Sequence, residues 1–179
     1  MDAITLLKND HKEAERLFKA FEKAGPNAAA TKRRTVKKII EELSVHAAIE
    51  ELAFYPAIRE EVEDAEDVVL ESMEEHHVVK WVLSELDNME PDHERFDAKV
   101  SVLIENVRHH VKEEETELFP EVRAALGRKR LAEIGAALEK AKKTAPKRPH
   151  PRLPDTPPGN VVAGLVAGAV DSVRERIGV

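Results

Sequence analysis

Four stretches of this chain place apolar residues at steps of three and four, and each interrupts its own stripe with a histidine near mid-length. The first, near 2–24, runs Ile4, Leu7, His11, Ala14, Phe18 and Phe21; the second, near 30–60, runs Val36, Ile39, Leu43, His46, Glu50 and Phe54. The third, near 64–89, runs Val69, Met73, His76, Val79, Leu83 and Leu86; the fourth, near 94–125, runs Val100, Leu103, Val107, His110, Glu114 and Leu118. Steps of three and four are the helical period, and a helix with one apolar stripe must bury it against a neighbour. "AGPN" and "MEPDH" end the first and third stretches, so the connections are short. The expectation is an all-α domain over residues 1–127 built from two helical hairpins.

Composition agrees with that class and removes others. Aromatic residues are 4% and charged residues 35% of the 179, a balance of solvated amphipathic helices rather than of a sheet. The net charge of −7 gives no bulk support for nucleic-acid binding. Cysteine is absent, which excludes a disulfide framework, thiolate chemistry and an iron–sulfur cluster. "MDAITLLKNDHKEAERLF" lacks the basic start and apolar run of a signal peptide, and no apolar run reaches the roughly 20 residues of a membrane span. A cytoplasmic protein is expected.

Beyond the fourth stretch, residues 128–145 read as a short helical extension, or as a continuation of the fourth helix past Gly127. Residues 146–159 carry six prolines and read as an extended linker. Residues 160–179 return to helical composition as a tail helix. Its apolar part, Val161 to Val170, is too short to span a bilayer. The Gly164/Gly168 pair permits close helix contact, so the tail docks on the bundle or on a second copy of the chain, with membrane-surface association as the alternative.

The histidines carry the chemistry. A spacing of four places His46 over Glu50 and His110 over Glu114, with Cβ atoms about 5–6 Å apart. Burying such groups costs several kcal/mol each without compensation, and a metal ion compensates neutral imidazoles and ionised carboxylates directly. The pattern also repeats: "HAAIEELAFYP" from His46 matches "HVKEEETELFP" from His110, and His11 and His76 are followed by apolar residues at the same offsets. Two hairpins that each supply two histidines and one glutamate make a two-metal site.

The ordered set H…HxxxE…H…HxxxE, with "EE" after each second histidine and "FYP" or "LFP" downstream, resembles the hemerythrin-like (HHE cation-binding) domain over roughly residues 2–125. The resemblance implies an up-down-up-down four-helix bundle around two non-haem iron ions with a bridging oxo or hydroxo group. The implied ligands are His11, His46, Glu50, His76, His110 and Glu114, with both glutamates bridging. The oxygen-carrying hemerythrins use five histidines, with HxxxH on the third helix and HxxxxD on the fourth. Here Lys80 stands where that second histidine falls, and Glu114 replaces an aspartate one step later. The pattern looks most like family members tied to peroxide or nitric oxide chemistry, so the implied ligands are hydrogen peroxide, nitric oxide or dioxygen.

Other residues have plainer readings. His77 replaces His76 as ligand if the third helix is rotated, and otherwise packs beside the core. His109 is expected in solvent, His93 in a loop and His150 in the linker; the acidic run "EEET" reads as a solvated face. A ferritin-like Glu-x-x-His pattern fits once, at Glu74 and His77, no zinc-protease spacing occurs, and manganese is an alternative occupant on ligand type. Tyr55, the single tyrosine, lies nine residues from His46 and so about 180° away on an ideal helix. Packing is the ordinary reading; the alternative, if Pro56 rotates the turn, is a phenolate on iron or a hydrogen bond near it. Two function classes follow: a peroxide- or nitric-oxide-reactive enzyme, and an oxygen, iron or redox sensor that relays occupancy through the linker and tail.

Overall fold

A computed structural model describes residues 1–155, 159–160 and 167–171, and among these every regular element is helical. Helix α1 (Ala3–Glu22) opens on Asp2, whose carboxylate accepts the Thr5 N–H at 3.0 Å and the Thr5 hydroxyl at 2.7 Å. A cap of this kind is worth about 1 kcal/mol. Helix α2 (Ala29–Ile49) passes through a π-helical turn (Glu50–Phe54) into the short α3 (Tyr55–Glu61). Helix α4 (Glu66–Asp87) and α5 (Phe96–Glu113) form the second hairpin; α5 enters a second π-helical turn (Glu114–Leu118) before α6 (Phe119–Lys142). The four long segments run up-down-up-down, as expected. No helix among the described residues is long and apolar enough to cross a membrane.

The second and fourth expected helices thus contain a widened turn that their apolar spacing does not announce. Pro56 and Pro120 lack the N–H that would bond the carbonyl one turn back. In both places the residue before the proline, Tyr55 or Phe119, bonds five residues back, to the carbonyl of Glu50 or Glu114. Such i→i+5 turns place an extra residue in the helix, and they concentrate at functional sites.

The widened turns sit at the seam between two apolar clusters. One gathers Ile4 and Leu7 of α1, Ile49, Phe54, Ile58, Val69, Phe119 and Val122. The other gathers Phe18 and Phe21 of α1 with Ile39, Leu43, Leu83, Phe96, Val100 and Leu103. Each large side chain buried there contributes roughly 1.5–3 kcal/mol. The rings of histidines and glutamates lie between these clusters.

Residues 128–142 are more than an appendage. Gly127 (φ 67, ψ 174) takes a left-handed conformation that breaks α6 and redirects the chain. Leu131, Ile134 and Leu138 then bury themselves in the same cluster as Ile4 and Leu7. The proline-rich segment also rests on the bundle. Its residues 146–155 cover α2 and the first π turn, and the Asn160 side chain donates to the Glu51 carbonyl oxygen at 2.9 Å. Asp171 accepts from the Arg148 N–H at 3.1 Å and lies 3.2 Å from His150 Nε2. The tail was expected to dock through Gly164 and Gly168. Gly164 and most of Val161–Val170 lie outside the described residues, while Gly168 approaches so closely that a Cβ there would meet the Thr144 carbonyl oxygen at 2.4 Å.

Candidate metal centre

The structure brings all six expected ligand residues together. His11 comes from α1, His46 from the end of α2, His76 from α4 and His110 from the end of α5; Glu50 and Glu114 are the first residues of the two π turns. All six are buried, with Glu50 and Glu114 almost wholly inaccessible. His11, His46, Glu50 and Glu114 offer ligand atoms within 4.8 Å of one another, and Glu50, His76 and His110 form a second such group. Glu50 Oε2 lies 3.1 Å from His46 Nε2 and 3.4 Å from His76 Nε2. Glu114 Oε2 lies 3.2 Å from His11 Nε2 and 3.6 Å from His110 Nε2. Each glutamate therefore touches a histidine of both hairpins.

His76 Nε2 and His110 Nε2 lie 3.1 Å apart, within hydrogen-bond distance, but most of the other converging atoms do not satisfy one another. His11 Nε2, His46 Nε2, both oxygens of Glu50 and Glu114 Oε2 are buried and have no hydrogen-bond partner. Buried polar atoms are rarely left so, and an unpaired buried carboxylate oxygen is among the costliest. Burial, reinforced by the charge of Glu114, pushes the Glu50 carboxyl well above the usual range. Burial also acts on Glu114, but His110, His11 and His46 together outweigh it and hold that carboxyl well below. Burial lowers His46 to about 4, against the pull of Asp10, so its imidazole is neutral and able to ligate. Imidazole nitrogens and buried carboxylate oxygens facing a common space fit a cation site.

Behind the inner ring stands an outer ring of acids. Asp10 Oδ2 lies 3.8 Å from His46 Nδ1, Glu115 Oε1 2.9 Å from His11 Nδ1, Glu51 Oε1 3.2 Å from His76 Nδ1 and Glu75 Oε2 2.7 Å from His110 Nδ1. An acid on Nδ1 turns the Nε2 lone pair inward and raises its basicity. Lysines back three of the acids: Lys142 on Asp10 (2.6 Å), Lys8 on Glu115 (3.2 Å) and Lys80 on Glu51 (2.8 and 3.0 Å). The sequence reading missed these four acids as orienting groups, and it assigned Glu115 in "EEET" to a solvated face. The signal was present in "DH" and "EH" before the first histidine of each hairpin, and in the second acid of each "EE".

Tyr55 faces the cluster. It is buried, its hydroxyl donates to Glu114 Oε1 at 2.9 Å, and its oxygen lies 3.4 Å from His76 Nε2. The π turn absorbs one residue, so Tyr55 occupies about the angular place of an eighth residue after His46, near 80° rather than 180°. Burial, and then the charges of Glu114 and Glu50, push its phenol well above the usual range, leaving a neutral donor. Phe119 occupies the matching place in the other half and stacks on His11, with ring centroids 5.8 Å apart.

The neighbouring histidines stay outside. His77 accepts from Trp81 Nε1 at 3.0 Å, so the third helix is not rotated to present it. His109 is exposed beside Glu113, and His93 accepts the Arg95 N–H in the turn before α5. A small cavity of about 20 Å³ abuts the cluster between His11, His46, His76, His110, Val79 and Val107.

The family model for the hemerythrin HHE cation binding domain matches residues 2–122. A hemerythrin-like protein of Schizosaccharomyces pombe is 27% identical over 169 residues, covering 94% of this chain and 82% of that protein. The crystal structure of a hemerythrin HHE cation binding domain-containing protein from Mycobacterium kansasii superposes with a TM-score of 0.66 at 20% identity, over 80% of this chain and 88% of that one. At that identity the likeness is one of fold.

Proposed function

We propose that this chain, which belongs to the hemerythrin HHE cation-binding family, holds two non-haem irons with a bridging oxo or hydroxo group and decomposes hydrogen peroxide or reacts with nitric oxide. The observation that carries the reading is the pair of histidine–carboxylate groups that share Glu50, with Glu114 reaching across both hairpins. His11, His46 and Glu114 would hold one iron and His76, His110 and Glu50 the other, each glutamate also reaching its neighbour's iron. Bound iron would supply redox chemistry and Lewis acidity.

The chain's own contribution is position, protonation state and dryness. Glu115, Glu51 and Glu75 fix the imidazoles of His11, His76 and His110 with Nε2 inward, while Asp10 lies 3.8 Å from His46 Nδ1. Tyr55 keeps its proton and holds Glu114 by a 2.9 Å hydrogen bond, placing one proton donor beside the cluster. Phe54, Phe119 and the apolar clusters exclude water from it. The adjoining cavity of about 20 Å³ has room for about one water-sized molecule, so any ligand that reaches the cluster there is small.

The test is an oxygen-electrode assay of the iron-loaded protein with hydrogen peroxide, beside a nitric oxide consumption assay. Oxygen evolution or nitric oxide consumption is expected, lost in His46→Ala and Glu114→Ala. Iron-loaded protein inert to both, yet reversibly taking up dioxygen, would overturn the enzyme reading. One feature favours the second reading, a sensor without turnover. Lys142 of α6 pairs with Asp10 at 2.6 Å, and Asp10 lies 3.8 Å from His46 Nδ1, so α6 reaches the surroundings of the inner ring.

A further inference from the structure

The small cavity beside the metal cluster has a larger neighbour. A groove of about 630 Å³ opens between α1 and α5, walled by Lys12, Glu15 and Phe18 on one side and by Val107, Arg108 and Lys112 on the other. Four residues, His11, Ala14, Val107 and Val111, line both spaces. The partition between groove and cavity is therefore one layer of side chains thick. Ala14 and Val107 are buried, Val111 is half-buried, and Ala14 offers only a methyl group to this layer. Arg108 ties the two helices across the groove: its guanidinium donates to Glu15 at 2.9 and 3.1 Å and to Glu22 at 2.8 and 3.1 Å. The helices are held at a fixed spacing, so crossing the partition calls on side-chain motion rather than on helix separation.

The other side of the cavity is charged. Asp10 and Glu42 line it there, and Lys142 pairs with them at 2.6 and 4.0 Å. A neutral ligand entering on that side would part a half-buried ion pair, whereas Ala14, Val107 and Val111 carry no polar side-chain atom to disturb. We propose that small neutral ligands reach the metal cluster from the α1–α5 groove, across the partition formed by Ala14, Val107 and Val111. The inference rests on the metal reading above and adds to it the path by which a ligand such as nitric oxide arrives. A barrier on a single path is met both on the way in and on the way out. A residue that forms it changes both rates by one factor and leaves affinity alone.

Stopped-flow mixing of the full-length, iron-loaded, reduced chain with nitric oxide, with iron quantified in each sample, tests this. Val111→Trp is expected to slow association and dissociation together, each about tenfold, with Kd and iron content at wild-type values. Ala14→Leu thickens the same layer and should give the same result if Val111→Trp fails to fold. Glu42→Trp, on the charged side, should leave both rates unchanged. Iron-loaded Val111 and Ala14 variants with wild-type rates, a loss of affinity in place of proportionate slowing, or the slowing found instead in Glu42→Trp would each overturn the route and leave the iron reading intact. A wild-type chain that holds no iron or takes up no nitric oxide would sink that reading, and the route with it.

Discussion

The two hairpins write one pattern twice and differ at one side chain that faces the cluster. In the first, Asp10 and His11 precede His46, Glu50, Glu51, Tyr55 and Pro56; in the second, Glu75 and His76 precede His110, Glu114, Glu115, Phe119 and Pro120. The acid before the first histidine lies beside the second histidine of its own hairpin, hydrogen-bonded at 2.7 Å for Glu75 and His110 and 3.8 Å away for Asp10 and His46, and the second acid of each "EE" reaches across to the first histidine of the other. Each half is thus finished by its partner, so neither hairpin alone makes a site. The symmetry breaks at Tyr55 and Phe119. The phenol bonds Glu114, while on the other side Glu50 keeps both oxygens without partners. The tyrosine marks one face of the cluster as the side with a proton to give.

The largest expected effect comes from breaking what the halves share. Glu50→Ala or Glu114→Ala removes a group that touches histidines of both hairpins, and each is expected to take iron content from two per chain to nearly none. Elemental analysis checks it; loss of a single iron per variant would show that the glutamates serve separate metals.

Next come the crossing acids. Glu51→Gln and Glu115→Gln are each expected to lower iron affinity about 10–100-fold in a chelator competition. The two should not be equal in stability. Lys80 is buried with Glu51, so Glu51→Gln leaves a buried ammonium without its charge partner, a loss of about 3–5 kcal/mol when a buried pair is broken. Lys8 and Glu115 are both partly exposed to solvent, so the matching loss for Glu115→Gln should stay within about 1 kcal/mol. Urea denaturation of the two variants separates them; equal losses would mean that the surroundings of the two acids do not matter.

Tyr55→Phe makes the two halves alike. It should cost about 1–2 kcal/mol, from the lost hydrogen bond and the oxygen left buried, and should alter the peroxide reaction without emptying the site. Thermal unfolding and iron content check both parts, and loss of iron would make the phenol a ligand. The smallest effect is expected from removing everything after Ala145. Both hairpins and α6 remain, so residues 1–145 should fold and keep two irons. A truncated chain that cannot hold iron would show that the covering segment belongs to the core.

The helices and the inner ring were legible because burial writes itself as period. His11, His46, His76 and His110 each sit on an apolar stripe, where a solvated histidine has no reason to be. The π turns were not legible, because an inserted residue shifts register without altering composition, and Pro56 pointed to the place but not to the kind of turn. Ideal geometry alone puts Tyr55 on the far side, and the structure shows instead the alternative, a turn altered at Pro56 that brings it beside Glu114. The outer acids were hidden for another reason. Asp10, Glu51, Glu75 and Glu115 lie beside the stripe among many acidic residues, and only their contacts distinguish an orienting carboxylate from a solvated one. The segment after Pro146 reads as open chain by its prolines, which lack donors for regular structure yet enclose a cavity together with Ala48 and Leu52.

If six side chains from two hairpins share two irons through Glu50 and Glu114, the two metals behave as one coupled pair. Low-temperature Mössbauer spectroscopy of the full-length protein purified from iron-replete cells, with iron quantified in the same sample, tests it most directly. Two irons per chain with the diamagnetic ground state of a coupled ferric pair is the predicted result. One iron per chain with magnetically split, uncoupled spectra, or a site filled by manganese or zinc, would contradict it.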